Sequence, residues 1–211
     1  MAKPITLPLA PHLPGGLVTP EQLRHLAQIA EKYEGTIKVA GNSLVILGLT
    51  PENQALALTE LGIDSQSLSA KAVRSIAVCS GKPHCRRALQ DSTSLGLELE
   101  KHFYGTELPG KLRIGVSACP NACSEIFIKD IGLYGTAAGY TLTVGGRSDR
   151  TAQAGHIIAE KIPPEKVLPL IGKILAYYQL HGKAGERIGQ TISRCGFTDF
   201  TAYFGVNGDL I

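Results

Sequence analysis

The opening part of the chain has a helical hydrophobic pattern between residues 17 and 35, LVTPEQLRHLAQIAEKYEG. Thr19 before a proline is a helix start signal, and Gln22 three residues after it matches a capping box. Gly35 is a helix stop signal. The spacing therefore predicts an amphipathic helix, and its buried face consists of Leu23, Leu26, Ala30 and Tyr33.

Extended segments flank this helix. TIKVA (36–40) and SLVILGL (43–49) have the composition of strands, and the Gly-Asn dipeptide between them predicts a tight turn. A second helix is predicted to begin at Thr50 and Pro51. With KPITLPL (3–9) as an edge strand, the order strand-helix-strand-strand-helix predicts a small α+β sheet with its helices on one face.

A polar stretch, GIDSQSLSA (62–70), is typical of a linker and divides the chain into two predicted domains, residues 1–68 and 69–211. In the second domain, strands are predicted at VRSIAV (73–78), KLRIGVSAC (111–119), IFIKDIGLYG (126–135) and YTLTVGG (140–146). Helices are predicted at RRALQDSTSLGLELEKHFYG (86–105), TAQAGHIIAEKI (151–162), PEKVLPLIGKILAYYQLHG (164–182) and ERIGQTISRCG (186–196). The long helix of this set presents one apolar face made of Val167, Ile171, Ile174 and Tyr178.

The segment 111–119 alternates between two kinds of side chain, as a strand with two different faces would. The apolar face faces a core and consists of Leu112, Ile114, Val116 and Ala118. The other face carries two cations, two small residues and a thiol: Lys111, Arg113, Gly115, Ser117 and Cys119. This second face is predicted to form a floor beneath a bulky, anionic group.

The composition, 44% hydrophobic and 18% charged over 211 residues, is typical of a globular protein with a substantial core. A net charge of +3 offers no argument for a nucleic-acid partner. No stretch approaches the roughly 20 apolar residues of a membrane span, and MAKPITLPLA at the start does not match a signal peptide. The expected location is the cytoplasm, where clustered cysteines indicate metal or redox chemistry rather than disulfides.

Four of the five cysteines form two close pairs, Cys79 with Cys85 and Cys119 with Cys123. Each pair follows a predicted strand and precedes a predicted helical start, where thiolates are stabilised. If the chain coils after Pro120, the second pair lies one helical turn apart, which suits two corners of an iron–sulfur cube. A structural zinc, which usually uses C-x-x-C pairs, and inert buried thiols remain alternatives. Cys195 stands alone and is assigned to packing.

The pattern CSGKPHC…CPNAC resembles the signature of the siroheme-containing nitrite and sulfite reductases. The resemblance extends over roughly residues 10 to 200, through HLPGGLVTPEQLRHLAQIAEKY, DIGLYG…LTVGG and YYQLHGKAGERIGQTISRCG. It implies an α+β protein, with a ferredoxin-like half domain followed by an α/β domain for siroheme and a 4Fe–4S cluster. The implied cluster ligands are Cys79, Cys85, Cys119 and Cys123, with Cys123 bridging cluster and siroheme iron.

The same resemblance implies six-electron reduction of sulfite to sulfide or of nitrite to ammonia. Lys111 and Arg113 match the basic pair that faces substrate in the family. The siroheme carboxylates call for further polar or cationic residues, for which the candidates are Arg74, Lys82, Arg86, Arg87, Asn121 and Arg147. His84, next to a ligand, is a candidate proton donor or a structural residue.

The chain also departs from the family pattern. Familiar members contain a tandem duplication, whereas this chain corresponds to one half, like the small sulfite reductases, and this analogy favours sulfite. The stretch KVAGNS lacks the arginine of the family's TTRQ-like segment, so a homodimer or a reduced single-subunit site is expected. No G-x-G-x-x-G fingerprint is present, so an external electron donor such as a ferredoxin is expected. The alternatives are a cluster-bearing electron-transfer protein and a siroheme-binding accessory protein without reductase activity.

Overall fold

A computed structural model describes residues 7–41, 43–63 and 71–204 of the chain, without the side chain of Leu7. The chain divides into two compact units, Met1–Leu68 and Ser69–Ile211. Each unit has its own cluster of buried hydrophobic side chains. Among the described residues, none of the helices combines the length and the apolar character needed to cross a bilayer.

The first unit is a three-stranded antiparallel sheet with two helices. Its elements are β1 (Leu7–Leu9), α1 (Pro20–Lys32), β2 (Thr36–Ala40), β3 (Ser43–Leu49) and α2 (Pro51–Glu60), and a short 3-10 turn covers Pro14–Gly16. The strands lie in the order β1-β3-β2. This confirms the predicted order of elements, although residues 3–6 of the predicted edge strand, Asn42 of the predicted turn and residues 64–70 of the predicted linker lie outside the described residues.

The helix start at Thr19 is confirmed, because its hydroxyl accepts the Gln22 N–H at 3.1 Å while the Gln22 side chain accepts the Thr19 N–H at 2.9 Å. The predicted buried face is wrong at one position. Leu23 is 44% exposed, whereas Ile29, which the pattern did not include, is buried. The buried stripe centres on Ile29 and Ala30, and Leu23 lies at the edge of that stripe.

The second unit is a five-stranded mixed sheet with helices. Its strands are β4 (Ala77–Val78), β5 (Ile114–Ser117), β6 (Ile131–Thr136), β7 (Gly139–Val144) and β8 (His156–Ile162), in that spatial order. Its helices are α3 (Gly81–His84), α4 (Ser92–Phe103), α5 (Pro164–His181), α6 (Ile188–Cys195) and α7 (Phe197–Tyr203). The contacts β4–β5 and β5–β6 are parallel, and the remaining two are antiparallel. The predicted buried face of α5 is confirmed.

One predicted helix of this unit is wrong, and another begins later than predicted. Residues 156–162 form the edge strand β8, because pairing with β7 and burial of Ile158 and Ile162 override the helical pattern. The helix predicted from residue 86 begins at Ser92, since the Asp91 side chain accepts the Ser94 N–H at 3.1 Å and so caps the helix there.

Several predicted strands are shorter than the pattern indicated. The segment 73–78 contributes only Ala77 and Val78 to the sheet, and the segment 111–119 contributes only Ile114–Ser117. Leu112 still pairs with Val73 through an isolated parallel bridge. The segment 126–135 begins with a 3-10 turn, Ile126–Ile128, before β6 starts.

Candidate cluster and anion site

The first cysteine of each pair follows one of two neighbouring parallel strands. Val78 of β4 lies opposite Val116 of β5, so Cys79 and Cys119 leave the sheet at the same edge. The Cys79 N–H donates to the Val116 carbonyl at 3.2 Å, and the Cys79 sulfur accepts the Ala118 N–H at 3.2 Å. Cys79 therefore contacts the residue directly before Cys119.

The segment after Cys85 returns to the same place. Cys85 ends the short helix α3, with its N–H donating to the Gly81 carbonyl at 2.8 Å. The N–H groups of Leu89 and Gln90 both donate to the Ala118 carbonyl, at 2.9 and 3.1 Å. The segments that carry the two cysteine pairs thus meet at the backbone of Ala118.

The sequence suggested that the chain coils into a helix after Pro120, but the structure shows no helix there. Two consecutive turns follow instead, in which the Ala122 N–H donates to the Cys119 carbonyl and the Glu125 N–H donates to the Ala122 carbonyl. Ala122 and Glu125 adopt positive φ angles of 54° and 55°. The Ser124 hydroxyl donates to the Val116 carbonyl at 2.8 Å, which anchors the turns to β5.

These turns give the cysteines different environments. Cys119 is buried, Cys79 and Cys85 are half-buried, and Cys123 is exposed, and all are free thiols. The Ser92 hydroxyl, at the start of α4, lies 3.2 Å from the Cys79 sulfur. Among the described residues, no three His, Cys, Asp or Glu side chains are arranged to hold a single metal ion. The fold gathers the cysteine-bearing segments at one sheet edge without closing them around one ion.

The prediction that one face of the segment 111–119 lies beneath an anionic group is wrong over part of its length. Another segment of the chain, residues 124–129, covers that part of the face. A β-carbon at Gly115 would lie 3.0 Å from the Lys129 side chain and 3.2 Å from the Ser124 carbonyl. Ser117 is 1% exposed and accepts the Ser124 N–H. Gly115 and Ser117 are therefore small because the segment 124–129 packs on them, and only Lys111 and Arg113 of that face stay partly open.

A cluster of cations surrounds the start of β5. The Arg74 N–H donates to the Leu112 carbonyl at 2.9 Å, which places Arg74 on the neighbouring segment beside Lys111 and Arg113. Burial lowers the pKa of Lys111, and the charges of Arg113, Arg74 and Arg187 lower it further, while Asp130 opposes them. Such a concentration of positive charge suits an anion.

Asp130 and Arg187 belong to this cluster but were missed by the sequence analysis. The Arg187 Nε and Nη2 donate to the two carboxylate oxygens of Asp130, at 2.9 and 2.5 Å. The Arg113 N–H also donates to Asp130, at 2.6 Å. The available signal was an aspartate directly before an apolar strand, but its partner lies 57 residues away in the sequence.

The structure places the other candidate residues in two settings. Lys82, His84, Arg86, Arg87 and Asn121 are exposed, near the cysteines in sequence. Arg147 is instead bound within its own loop, where its Nε donates to the Thr151 carbonyl at 2.8 Å and lies 3.5 Å from an Asp149 carboxylate oxygen. Cys195, which the sequence assigned to packing, ends α6, with an Arg194 nitrogen 3.4 Å from its sulfur.

Two protein-family profiles match the chain. The first, described as the nitrite and sulphite reductase 4Fe-4S domain, covers residues 69–206, and the second, the nitrite/sulfite reductase ferredoxin-like half domain, covers residues 9–62. The chain belongs to the nitrite and sulfite reductase family. Membership confirms the resemblance and the fold class, makes the chain an oxidoreductase, and implies siroheme and a 4Fe–4S cluster as cofactors.

The chain spans individual relatives in this family to different extents. An assimilatory-type sulfite reductase from Nitratidesulfovibrio vulgaris is 31% identical over 194 residues, which are 91% of this chain and 89% of that protein. A nitrite reductase [NAD(P)H] from Bacillus subtilis is 33% identical over 92% of this chain, but the match covers only 24% of that protein. The fold is similar to that of dissimilatory sulfite reductase I, with a TM-score of 0.80 at 15% identity, over 96% of this chain and 69% of that one.

Proposed function

We propose that this family member catalyses the six-electron reduction of sulfite to sulfide with electrons from an external donor. The observation that carries the proposal is the meeting of both cysteine-bearing segments at Ala118, within a unit that also assembles Lys111, Arg113 and Arg74. The first arrangement suits a cluster, and the second suits a small oxyanion. Cytoplasmic location and a protein donor such as a ferredoxin are parts of this proposal.

The four paired cysteines are the proposed ligands of the 4Fe–4S cluster. Their setting supports this, because the Cys79 sulfur already accepts a backbone N–H, as a thiolate in a cluster would. Cys123 would hold siroheme as well as the cluster, because its exposure leaves its sulfur accessible to a second group. When bound, the cluster and siroheme would provide the redox chemistry by which electrons from the external donor reach the oxyanion.

Lys111, Arg113 and Arg74 are proposed to bind the oxyanion and compensate its negative charge. Fixed cations in a partly buried site stabilise developing charge on oxygen more strongly than water does. Lys111 is also the proposed proton donor, because the depressed pKa of its ammonium eases release of a proton to oxygen as that oxygen leaves as water. The Lys111 amine would then regain its proton from solvent.

The siroheme carboxylates are proposed to bind the exposed residues Lys82, Arg86, Arg87 and Asn121. Arg147 fits this role less well, because its guanidinium is bound to its own loop. A second copy of the chain is proposed to supply, from another position, the substrate cation that the stretch KVAGNS lacks. Arg187 offers an additional cation within the same unit.

Sulfite is preferred as substrate because the sulfite reductase from N. vulgaris matches this chain over nearly its whole length. Nitrite is the second candidate, since a nitrite reductase is 33% identical over most of this chain. The two reactions consume the same number of electrons, so only direct turnover separates them.

Absorption spectroscopy and viologen turnover test the proposal together. The purified holoprotein is expected to show the red band of siroheme with a broad cluster shoulder, and to oxidise reduced methyl viologen faster with sulfite than with nitrite. Oxidation with nitrite alone would favour the second candidate. A fully loaded protein that reduces neither anion would leave a cluster-bearing electron-transfer or siroheme-binding role instead.

A further inference from the structure

Asp130 stands out because it is a charged side chain that the proposed reaction does not use. It lies directly before β6, and the residue is fully buried. Burial raises the pKa of its carboxyl, whereas the hydrogen bonds and charges of Arg187 and Arg113 lower it. A buried carboxylate is costly unless it is bound on several sides, so its partners indicate what it does.

The partners of Asp130 come from two distant parts of the unit. One carboxylate oxygen accepts hydrogen bonds from the Arg113 main-chain nitrogen and from the Arg187 Nη2, with nitrogen–oxygen distances of 2.6 and 2.5 Å. The other accepts the Arg187 Nε hydrogen at 2.9 Å. The first bond fixes the main chain between Lys111 and β5, and the other two fix a guanidinium from the start of α6. Bidentate pairing of this kind restricts orientation as well as position.

The cations around the start of β5 need a group of opposite charge to hold them together. Lys111, Arg113 and Arg74 repel one another, as the lowering of the Lys111 pKa by both arginines shows. Left to themselves, long cationic side chains would separate into solvent, where the repulsion is weaker. A carboxylate beneath the cluster offsets part of the repulsion without occupying the exposed side on which an anion would bind.

We propose that Asp130 is a positioning residue of the anion site, which holds Arg113 through its main chain and Arg187 through its guanidinium so that the cations stay together. This inference rests on the proposed function, since it takes Lys111 and Arg113 as the groups that bind the oxyanion. It assigns Asp130 no contact with substrate.

The main test replaces Asp130 with asparagine, which can still accept the Arg113 N–H but removes the charge. The first readout is the pH dependence of Lys111 acylation, measured by mass spectrometry on the full-length holoprotein. The groups that face Lys111 are Arg113 on its own segment, Arg74 on the neighbouring one, Arg187 before α6 and Asp130 before β6. Because Asp130 alone of these raises the Lys111 pKa, Asp130→Asn should shift the acylation profile to lower pH.

The second readout is turnover with reduced methyl viologen. We expect Asp130→Asn to lower kcat/KM for the oxyanion by about ten- to hundredfold, as loss of a residue that orients functional groups typically does. The loss should appear in both KM and kcat, and the alkaline limb of the pH profile should move in the same direction as the acylation profile. Siroheme and iron content should stay at the wild-type level.

The matched control is Glu186→Gln, which breaks a second carboxylate–arginine pair in the same unit. Glu186 binds Arg194 at 2.8 Å and does not contact Arg113. It should leave both the acylation profile and kcat/KM unchanged. Asp130→Asn leaves Arg187 without its carboxylate, so a double variant with Arg187→Gln, which removes both charges, serves for the turnover readout if the single variant does not fold. It does not serve for the acylation readout, because the two lost charges act on the Lys111 pKa in opposite directions.

The outcomes separate the two proposals. If the protein reduces neither anion but Asp130→Asn still shifts Lys111 acylation, the proposed function is refuted. The proposal that Asp130 positions the cations then stands. If wild-type turnover is present and Asp130→Asn changes neither acylation nor kcat/KM, the role of Asp130 is overturned. An equal effect of Glu186→Gln would also overturn it, because the effect would then be general to the unit.

Discussion

Gly96 is the position at which a single added methyl group should separate α4 from the strand that leads into Cys79. A β-carbon built at Gly96 would lie 2.1 Å from the Val78 Cγ1 atom. Carbon atoms in contact stay about 3.5–4.0 Å apart, so the helix and the strand would have to separate by roughly 1.5 Å. Glycine is therefore needed inside this helix in spite of its low helix propensity.

The size of the effect follows from two opposing contributions. Overpacking by a methyl group costs about 1–3 kcal/mol, and an approach as close as 2.1 Å belongs in the upper part of that range, at about 2–3 kcal/mol. The better helix propensity of alanine returns about 1 kcal/mol. We expect Gly96→Ala to lower the free energy of unfolding by about 1–2 kcal/mol, or Tm by roughly 2–8 °C for a chain of this length. Because Ser92 of α4 contacts the Cys79 sulfur, the iron content should fall as well.

The assay is urea and thermal unfolding followed by circular dichroism, with iron and acid-labile sulfide measured on the same samples. Gly172→Ala is the matched control, since Gly172 is also inside a helix but its nearest neighbour, Phe103, would lie 3.8 Å from the new atom. That variant should be neutral or slightly more stable. In a Gly96→Ala, Val78→Ala double variant, the clashing atom is gone, so the combined loss should be smaller than the sum of the single losses.

Three results would contradict this reasoning. Gly96→Ala could be as stable as the wild type, or Gly172→Ala could lose as much stability as Gly96→Ala is expected to lose. The losses in free energy of unfolding from Gly96→Ala and Val78→Ala could also be additive in the double variant. Any of these would mean that the close approach of α4 to β4 does not limit the packing.

The other predictions concern the cysteines, the cations and one surface ion pair. Cys123→Ser should abolish the cluster absorbance and lower the iron content, whereas Cys195→Ser should leave both unchanged. Lys111→Met should lower kcat/KM by about a hundredfold or more while the absorption spectrum is retained, because one charge-stabilising group is removed from the site. The hydrogen bond from Arg194 lowers the pKa of Glu186 from 4.5 to about 2, so the stability from this pair is present above pH 4.5 and is lost as the pH falls toward 2. The difference in urea midpoint between wild type and Glu186→Gln should therefore shrink over that interval, and a constant difference would contradict the assignment.

The proposed anion site connects the start of α6 to β5. Arg187 enters the cation cluster from the start of α6 and is tied to Asp130. The start of α6 is thus part of the same site as β5. Truncation before α6 is therefore expected to disturb the cations around Lys111 as well as the hydrophobic core.

Local signals were sufficient for much of this protein. The capping box at Thr19, the strands TIKVA and SLVILGL, and the long amphipathic helix α5 depend on residues a few positions apart, so the sequence alone determined them. The two cysteine pairs are equally local patterns. Their resemblance to one family was confirmed by the family profiles, although the ligand roles of the individual cysteines stay a prediction.

Only the tertiary structure decided the remaining features, because they depend on contacts between distant residues. Pairing with β7 makes residues 156–162 a strand, and the anchoring of Ser124 on β5 makes the chain turn after Cys119 where a helix had been expected. The bond between Asp130 and Arg187 joins positions 57 residues apart. No local spacing reports such a contact, since it exists only once the sheet and the C-terminal helices have packed together.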